Sequence, residues 1–153
     1  MKLYLMRHGN AASPGSGQPS VLTSKGEKET AKVGLWLRKN IQPPALLWHS
    51  PLPRATQTAE IIQREMELPL GTLVEKEELL PEGNAAETYR ALYKLHLDLL
   101  LVSHMPFLES LLGHFLDSQE NPEAFDFPTA GICAIETEKG KAKFMWALHP
   151  VDL

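Results

Sequence analysis

Cysteine is all but missing from this chain: Cys133 stands alone among 153 residues, so no internal disulfide can brace the fold. Set in the apolar run Gly131-Ile132-Cys133-Ala134-Ile135, it reads as a small buried hydrophobe rather than a reactive thiol. Positive charge is not in excess either. The 15 basic and 19 acidic residues leave a net charge of −4, which argues against non-specific nucleic-acid binding. An anionic substrate stays open, because a site's local field can oppose the global sign. No apolar run approaches the roughly 20 residues of a membrane span. Lys2 and Arg7 interrupt any signal-like opening, so a cytoplasmic chain without a membrane partner is expected. There is no Gly-rich nucleotide loop, no carboxylate cluster with metal-ligand spacing and no i, i+4 histidine pair of a helical zinc site. Neither a metal nor a cofactor is expected.

What is present fits one domain, residues 1–153, long enough to bury a sizeable core. Strands are expected at Lys2–Met6, Ala45–Trp48, Leu99–Val102, Ile132–Glu136 and Lys143–Leu148, with a short one near Thr72–Val74. The run Leu97-Asp98-Leu99-Leu100-Leu101-Val102 is nearly continuous in apolar residues, as a strand covered on both faces must be. The last two long strands flank the turn-like Glu138-Lys139-Gly140-Lys141 and suit an antiparallel pair. Helices are expected from about Ser24 to Lys39, closed by Asn40, after Pro53, over Ala85–His96, and through Leu108–Leu116 with Pro106 in its first turn. Alternating strands and helices imply an α/β fold, a three-layer α/β/α sandwich around a mostly parallel central sheet. Asn10–Ser20, rich in Gly, Pro, Ser and Ala, reads as a loop.

In such sheets ligands bind beyond the carboxyl ends of the strands. Arg7 and His8 follow the first strand, Arg54 lies just past the second, and His104 comes two residues after the third. Chain order alone thus delivers two arginines and two histidines to one edge. Two guanidinium forks suit the non-bridging oxygens of a phosphoryl group, and helix N-termini nearby add N–H donors. A neutral imidazole is a competent nucleophile, and adjacent arginines oppose its protonation. His8 is therefore the expected nucleophile, forming a phosphohistidine that water later hydrolyses. His104 is expected to contact the phosphoryl oxygens. Gly9 is expected to let the chain turn away and keep space open above the ring.

Arg7-His8-Gly9 resembles the RHG signature of the histidine phosphatase superfamily, the group that includes phosphoglycerate mutases. Leu22-Thr23-Ser24-Lys25-Gly26 is similar to its LT..G element. Ser50-Pro51-Leu52-Pro53-Arg54-Ala55-Thr56-Gln57-Thr58-Ala59 resembles its S-P-x-x-R-A-x-Q-T-A block, and Ser103-His104-Met105-Pro106 the block carrying a second histidine. The resemblance implies a phosphoglycerate mutase-like fold, with His8 phosphorylated and Arg7, Arg54 and His104 completing the pocket. Within the superfamily the chain looks most like the SixA type, which implies a phosphorylated protein partner such as a histidine-containing phosphotransfer domain. Its short Leu68–Tyr93 stretch leaves little chain for a lid.

Two positions depart from the pattern. Asn10 stands where the SixA type more often has an acidic residue, and is a candidate for substrate contact. The general acid has no clean match in Glu77-Glu78-Leu79-Leu80-Pro81-Glu82-Gly83; Glu78 is the first candidate and Glu82 the second. An imidazole leaving group, with a pKa of about 6.5, needs an acid less than an alkoxide does. The expected activity is therefore metal-independent hydrolysis of protein phosphohistidine. A small-molecule phosphomonoesterase of the same superfamily is the nearest rival, and a non-catalytic phosphoprotein-binding module a more distant one. Ser50 and Ser103 read as turn or cap residues, and His49 as structural or surface.

Overall fold

The structure, a computed structural model, describes residues 1–116 and 125–153. In chain order it builds β1 (Lys2–Arg7), β2 (Ala11–Ala12), β3 (Val21–Leu22), α1 (Ser24–Asn40), β4 (Leu46–His49), α2 (Pro53–Glu65) and β5 (Leu73–Glu75). There follow α3 (Ala85–Tyr93), β6 (Leu99–Ser103), α4 (Phe107–Phe115), β7 (Ile132–Glu138) and β8 (Lys141–Leu148). Six strands form one sheet in the order β5-β4-β6-β1-β7-β8. The first four run parallel, while β7 pairs antiparallel with both β1 and β8.

Strand alternation assigns the two faces. Leu3 and Leu5 of β1, with Leu99 and Leu101 of β6, face a core completed by α3 and α4 through Leu92, Leu108 and Leu111. Tyr4, Met6, Leu100 and Val102 face the opposite core, filled by Val33 and Leu37 of α1 and Ala55, Ala59 and Ile62 of α2. Both central strands are buried at nearly every position, so they must be apolar throughout. Leu3, Leu5, Leu99 and Leu101 are fully buried, and each contributes about 1.5–3 kcal/mol of apolar transfer.

Several boundaries differ from the sequence expectation. Helix α3 stops at Tyr93 rather than His96, because the chain must extend before β6. There Asp98 accepts the Ala45 N–H through its carbonyl and the Lys2 N–H through its carboxylate. Pro106 precedes the first turn of α4 instead of entering it. The Asn10–Ser20 loop is flanked by the small antiparallel ladder β2–β3. The fifth strand starts one residue later than expected, at Leu73. Helix α1 is capped at both ends: Thr23 Oγ1 accepts the Gly26 N–H, and Asn40, the expected closing residue, donates through Nδ2 to the Trp36 carbonyl. Cys133 is buried, and desolvation pushes its thiol pKa far up.

Candidate active site

The carboxyl ends of β1, β4 and β6 lie side by side, with Arg7 opposite Ser103 and His49 opposite Val102. Arg7 closes β1 and His8 follows it. The His8 N–H donates to the Ser103 carbonyl, and its own carbonyl accepts from the Ala130 N–H, both through the main chain. This double tie fixes the base of the imidazole. Its Nδ1 lies 2.8 Å from the Gly9 carbonyl oxygen. A carbonyl only accepts, so the neutral ring carries its proton on Nδ1 and presents a free lone pair at Nε2.

His104 leaves β6 beside it, with ring centroids 5.1 Å apart. Its Nε2 sits 2.7 Å from Ser50 Oγ, while its Nδ1 is buried without a partner among the described residues. Burial is the main cause that lowers the His8 pKa to about 4, helped by Arg54 and Arg7 and opposed by the Gly9 bond. His104 is lowered to about 3, first by burial, then by His8 and the two arginines. Both rings are therefore neutral near pH 7. Neutrality is what a nitrogen nucleophile needs.

The cations stand without counterions among the described residues. Neither Arg7 nor Arg54 forms a salt bridge among the described residues. Burial, then repulsion from Arg54, lowers the Arg7 pKa. One arm of Arg7 donates to the Phe127 carbonyl at 3.0 Å, and its Nε is buried without a partner among the described residues. Arg54 is the second residue of α2, where the positive end of the helix dipole adds to its charge. Two mutually repelling guanidinium groups with no carboxylate partner among the described residues form a receptor for an oxyanion.

Gly9 is required for a different reason from the one expected. Its φ is not positive; a Cβ there would lie 2.6 Å from Thr30 Oγ1 and 3.2 Å from the Gly26 carbonyl. Close packing against α1 excludes any side chain. The Gly9 N–H is also occupied, donating to Thr58 Oγ1, which in turn donates to the Arg54 carbonyl. Asn10 Oδ1 accepts from Thr23 Oγ1 at the start of α1, which engages the side chain proposed for substrate. Glu78 lies on a one-turn 3-10 helix, Glu77–Leu79, tied to the site by the Ser103 Oγ bond to the Leu79 carbonyl. Its side chain is exposed and forms neither a hydrogen bond nor an ion pair with the described residues.

Three contributors escaped the sequence reading. Ser50, read as a turn residue, touches His104; Thr58 links the Gly9 backbone to α2; and Phe127–Gly131 supplies carbonyls to Arg7 and an N–H to His8. Phe127 and Ala130 hold φ of 46° and 60°, left-handed values that non-glycine residues rarely adopt. The family model of the histidine phosphatase superfamily (branch 1) matches residues 3–87, more than half of the chain.

The chain belongs to the histidine phosphatase superfamily.

Among solved structures, this histidine phosphatase superfamily member is similar to the protein histidine phosphatase SixA complexed with tungstate. The two share 25% identity over 99% of each chain, with a TM-score of 0.89. A candidate phosphohistidine phosphatase SixA from Agrobacterium tumefaciens is 23% identical over 97% of each chain, with a TM-score of 0.81. A phosphoserine phosphatase mutant from Entamoeba histolytica, in complex with phosphoserine, shares the fold at 16% identity over 95% of each chain and a TM-score of 0.72. No curated protein sequence matches the chain significantly.

Proposed function

We propose that this phosphatase removes the phosphoryl group from phosphohistidine in a protein substrate, through a covalent intermediate on His8. The carrying observation is the neutral His8 ring, tied at Nδ1 to the Gly9 carbonyl and electrostatically coupled to two arginines that have no carboxylate partner among the described residues. His8 Nε2 attacks phosphorus in line; the new P–N bond forms as the substrate's P–N bond breaks. The departing imidazole nitrogen takes a proton, for which Glu78 and then Glu82 are the nearest candidates in sequence. Water then attacks the phospho-His8, releasing inorganic phosphate and returning the imidazole. Arg7, Arg54 and His104 hold the phosphoryl oxygens throughout, with Gly9 and Asn10 bordering the site. No step calls for a metal.

Two observations support a protein substrate of the histidine-containing phosphotransfer kind. One is the likeness to the tungstate-bound SixA over the full length of both chains. The other is the segment between α2 and α3, spent on β5 and two short 3-10 turns, Leu70–Thr72 and Glu77–Leu79, rather than on a cover for a small ligand. The phosphoserine phosphatase that shares the fold supports the second reading, a small-molecule phosphomonoesterase.

The deciding assay offers a phosphohistidine-bearing carrier protein and, separately, p-nitrophenyl phosphate, without added metal, to wild type and His8→Ala. Carrier turnover that outpaces the ester, with both lost in the variant, is the expected result. Faster ester turnover would favour the small-molecule reading. Phosphate binding without release by wild type would indicate a binding module. Activity surviving in His8→Ala would reject the covalent mechanism.

A further inference from the structure

The His104 ring has two nitrogens in unlike settings, and only one of them has a partner among the described residues. Ser50, fully buried, is tied down at each polar atom. Its N–H donates to the Val102 carbonyl, and its carbonyl accepts from His49 Nδ1 at 2.9 Å and Thr56 Oγ1 at 3.3 Å. Its hydroxyl oxygen accepts the Leu52 N–H at 3.1 Å and lies 2.7 Å from His104 Nε2. A hydroxyl has a single proton to give.

Two arrangements satisfy those distances. If Nε2 were protonated, Ser50 Oγ would accept twice and its own proton would lack an acceptor among the described residues, in a fully buried place. That orphan costs about 1–3 kcal/mol. Nδ1 would also present only a lone pair, on a ring 5.1 Å from that of His8. If Ser50 instead donates to Nε2, each of its polar groups is satisfied, and Nδ1 carries the proton. Nδ1, buried without a partner among the described residues, is then a hydrogen-bond donor with its proton unspent.

We infer that Ser50 is a positioning residue that holds His104 in its Nδ1–H tautomer and so converts a neutral imidazole into a hydrogen-bond donor for the phosphoryl oxygens. The tautomer follows from Ser50 and Leu52 alone; its use rests on the phosphatase reading above. Depressed basicity keeps His104 neutral near pH 7, so the choice between tautomers is a real one. A donor fixed in this way needs no charge and no reorganisation as negative charge develops.

Long-range proton–nitrogen NMR on uniformly 15N-labelled protein, with His104 assigned by comparison with His104→Gln, reads the tautomer directly. The expected wild-type spectrum has a protonated Nδ1 and a bare Nε2. In Ser50→Ala the ring should revert to Nε2–H, the form histidine prefers in water. Carrier dephosphorylation should then fall by up to about 100-fold, the scale of losing one such donor. A wild-type His104 protonated at Nε2 overturns the inference whatever the variant does. An Nδ1–H ring that persists in Ser50→Ala overturns it as well. An Nδ1–H ring in a protein that turns over no phosphohistidine carrier would retire the proposed function and leave the role of Ser50 standing.

Discussion

At the scale of residues, the site depends on keeping two histidines uncharged beside two arginines. The kcat/KM of the wild type should stay level through the ordinary imidazole range near 6.5 and fall only around pH 4, where His8 protonates. A pH–rate profile checks this; an acid limb near 6.5 would refute the depressed basicity. Stability should follow the same linkage. Between 6.5 and about 4 the unfolded chain binds protons at positions 8 and 104 that the folded chain refuses. Folding stability therefore falls as pH drops through that window, and the loss ends once the folded rings protonate too. Thermal unfolding across pH should show the decline, and His8→Gln combined with His104→Gln should remove part of it.

Elements hold these residues in place through close approach, and two glycines of unlike setting make the point. Gly26, in the first turn of α1, lets the helix touch the backbone of Asn10: a Cβ would lie 2.1 Å from the Asn10 carbonyl oxygen. The backbone cannot swing aside as a flexible side chain could. Gly26→Ala should cost at least the upper end of the about 1–3 kcal/mol typical of overpacking. It should also impair turnover, since Asn10 is two residues from His8. Gly113, inside α4, would place a Cβ in open space. Gly113→Ala should stabilise by about 0.5–1 kcal/mol, from the lower chain entropy and better helix propensity of alanine. Urea denaturation of both variants measures the contrast. The LT..G stretch was legible in the sequence through its resemblance to the family element; the Thr23 cap came from the structure. The purpose of the glycine was not, because contact with residue 10 depends on how β1 and α1 cross.

For the whole molecule, net charge and local charge point in opposite directions. A chain of net charge −4 gathers Arg7 and Arg54 at one sheet edge without an ion-pair partner among the described residues. Inorganic phosphate should relieve that repulsion and stabilise the fold, by about 2.7 kcal/mol at 100 times its Kd. Arg54→Ala should abolish most of that gain while leaving the ligand-free protein no less stable, because one of two repelling charges is gone. Thermal shifts with and without phosphate, repeated at higher ionic strength, test both halves.

The strands β1 and β6 were legible because a parallel strand covered on both faces must be apolar at every position, a demand written in consecutive residues. The placing of His8 and His104 followed, since each directly succeeds such a run and parallel strands end on one side. Ser50 and Thr58 could not be read this way. Each acts through a single hydroxyl whose partner lies 54 or 49 residues away, and such a bond leaves no periodic trace in one chain. The Phe127 carbonyl that receives Arg7 has no side-chain signature at all. Sequence by itself determined the layers, the strand ends and the four charged or basic side chains gathered there, because burial and period are local demands. Tertiary structure alone decided which nitrogen of each ring is tied down, because that depends on the few tenths of an ångström by which separate elements approach.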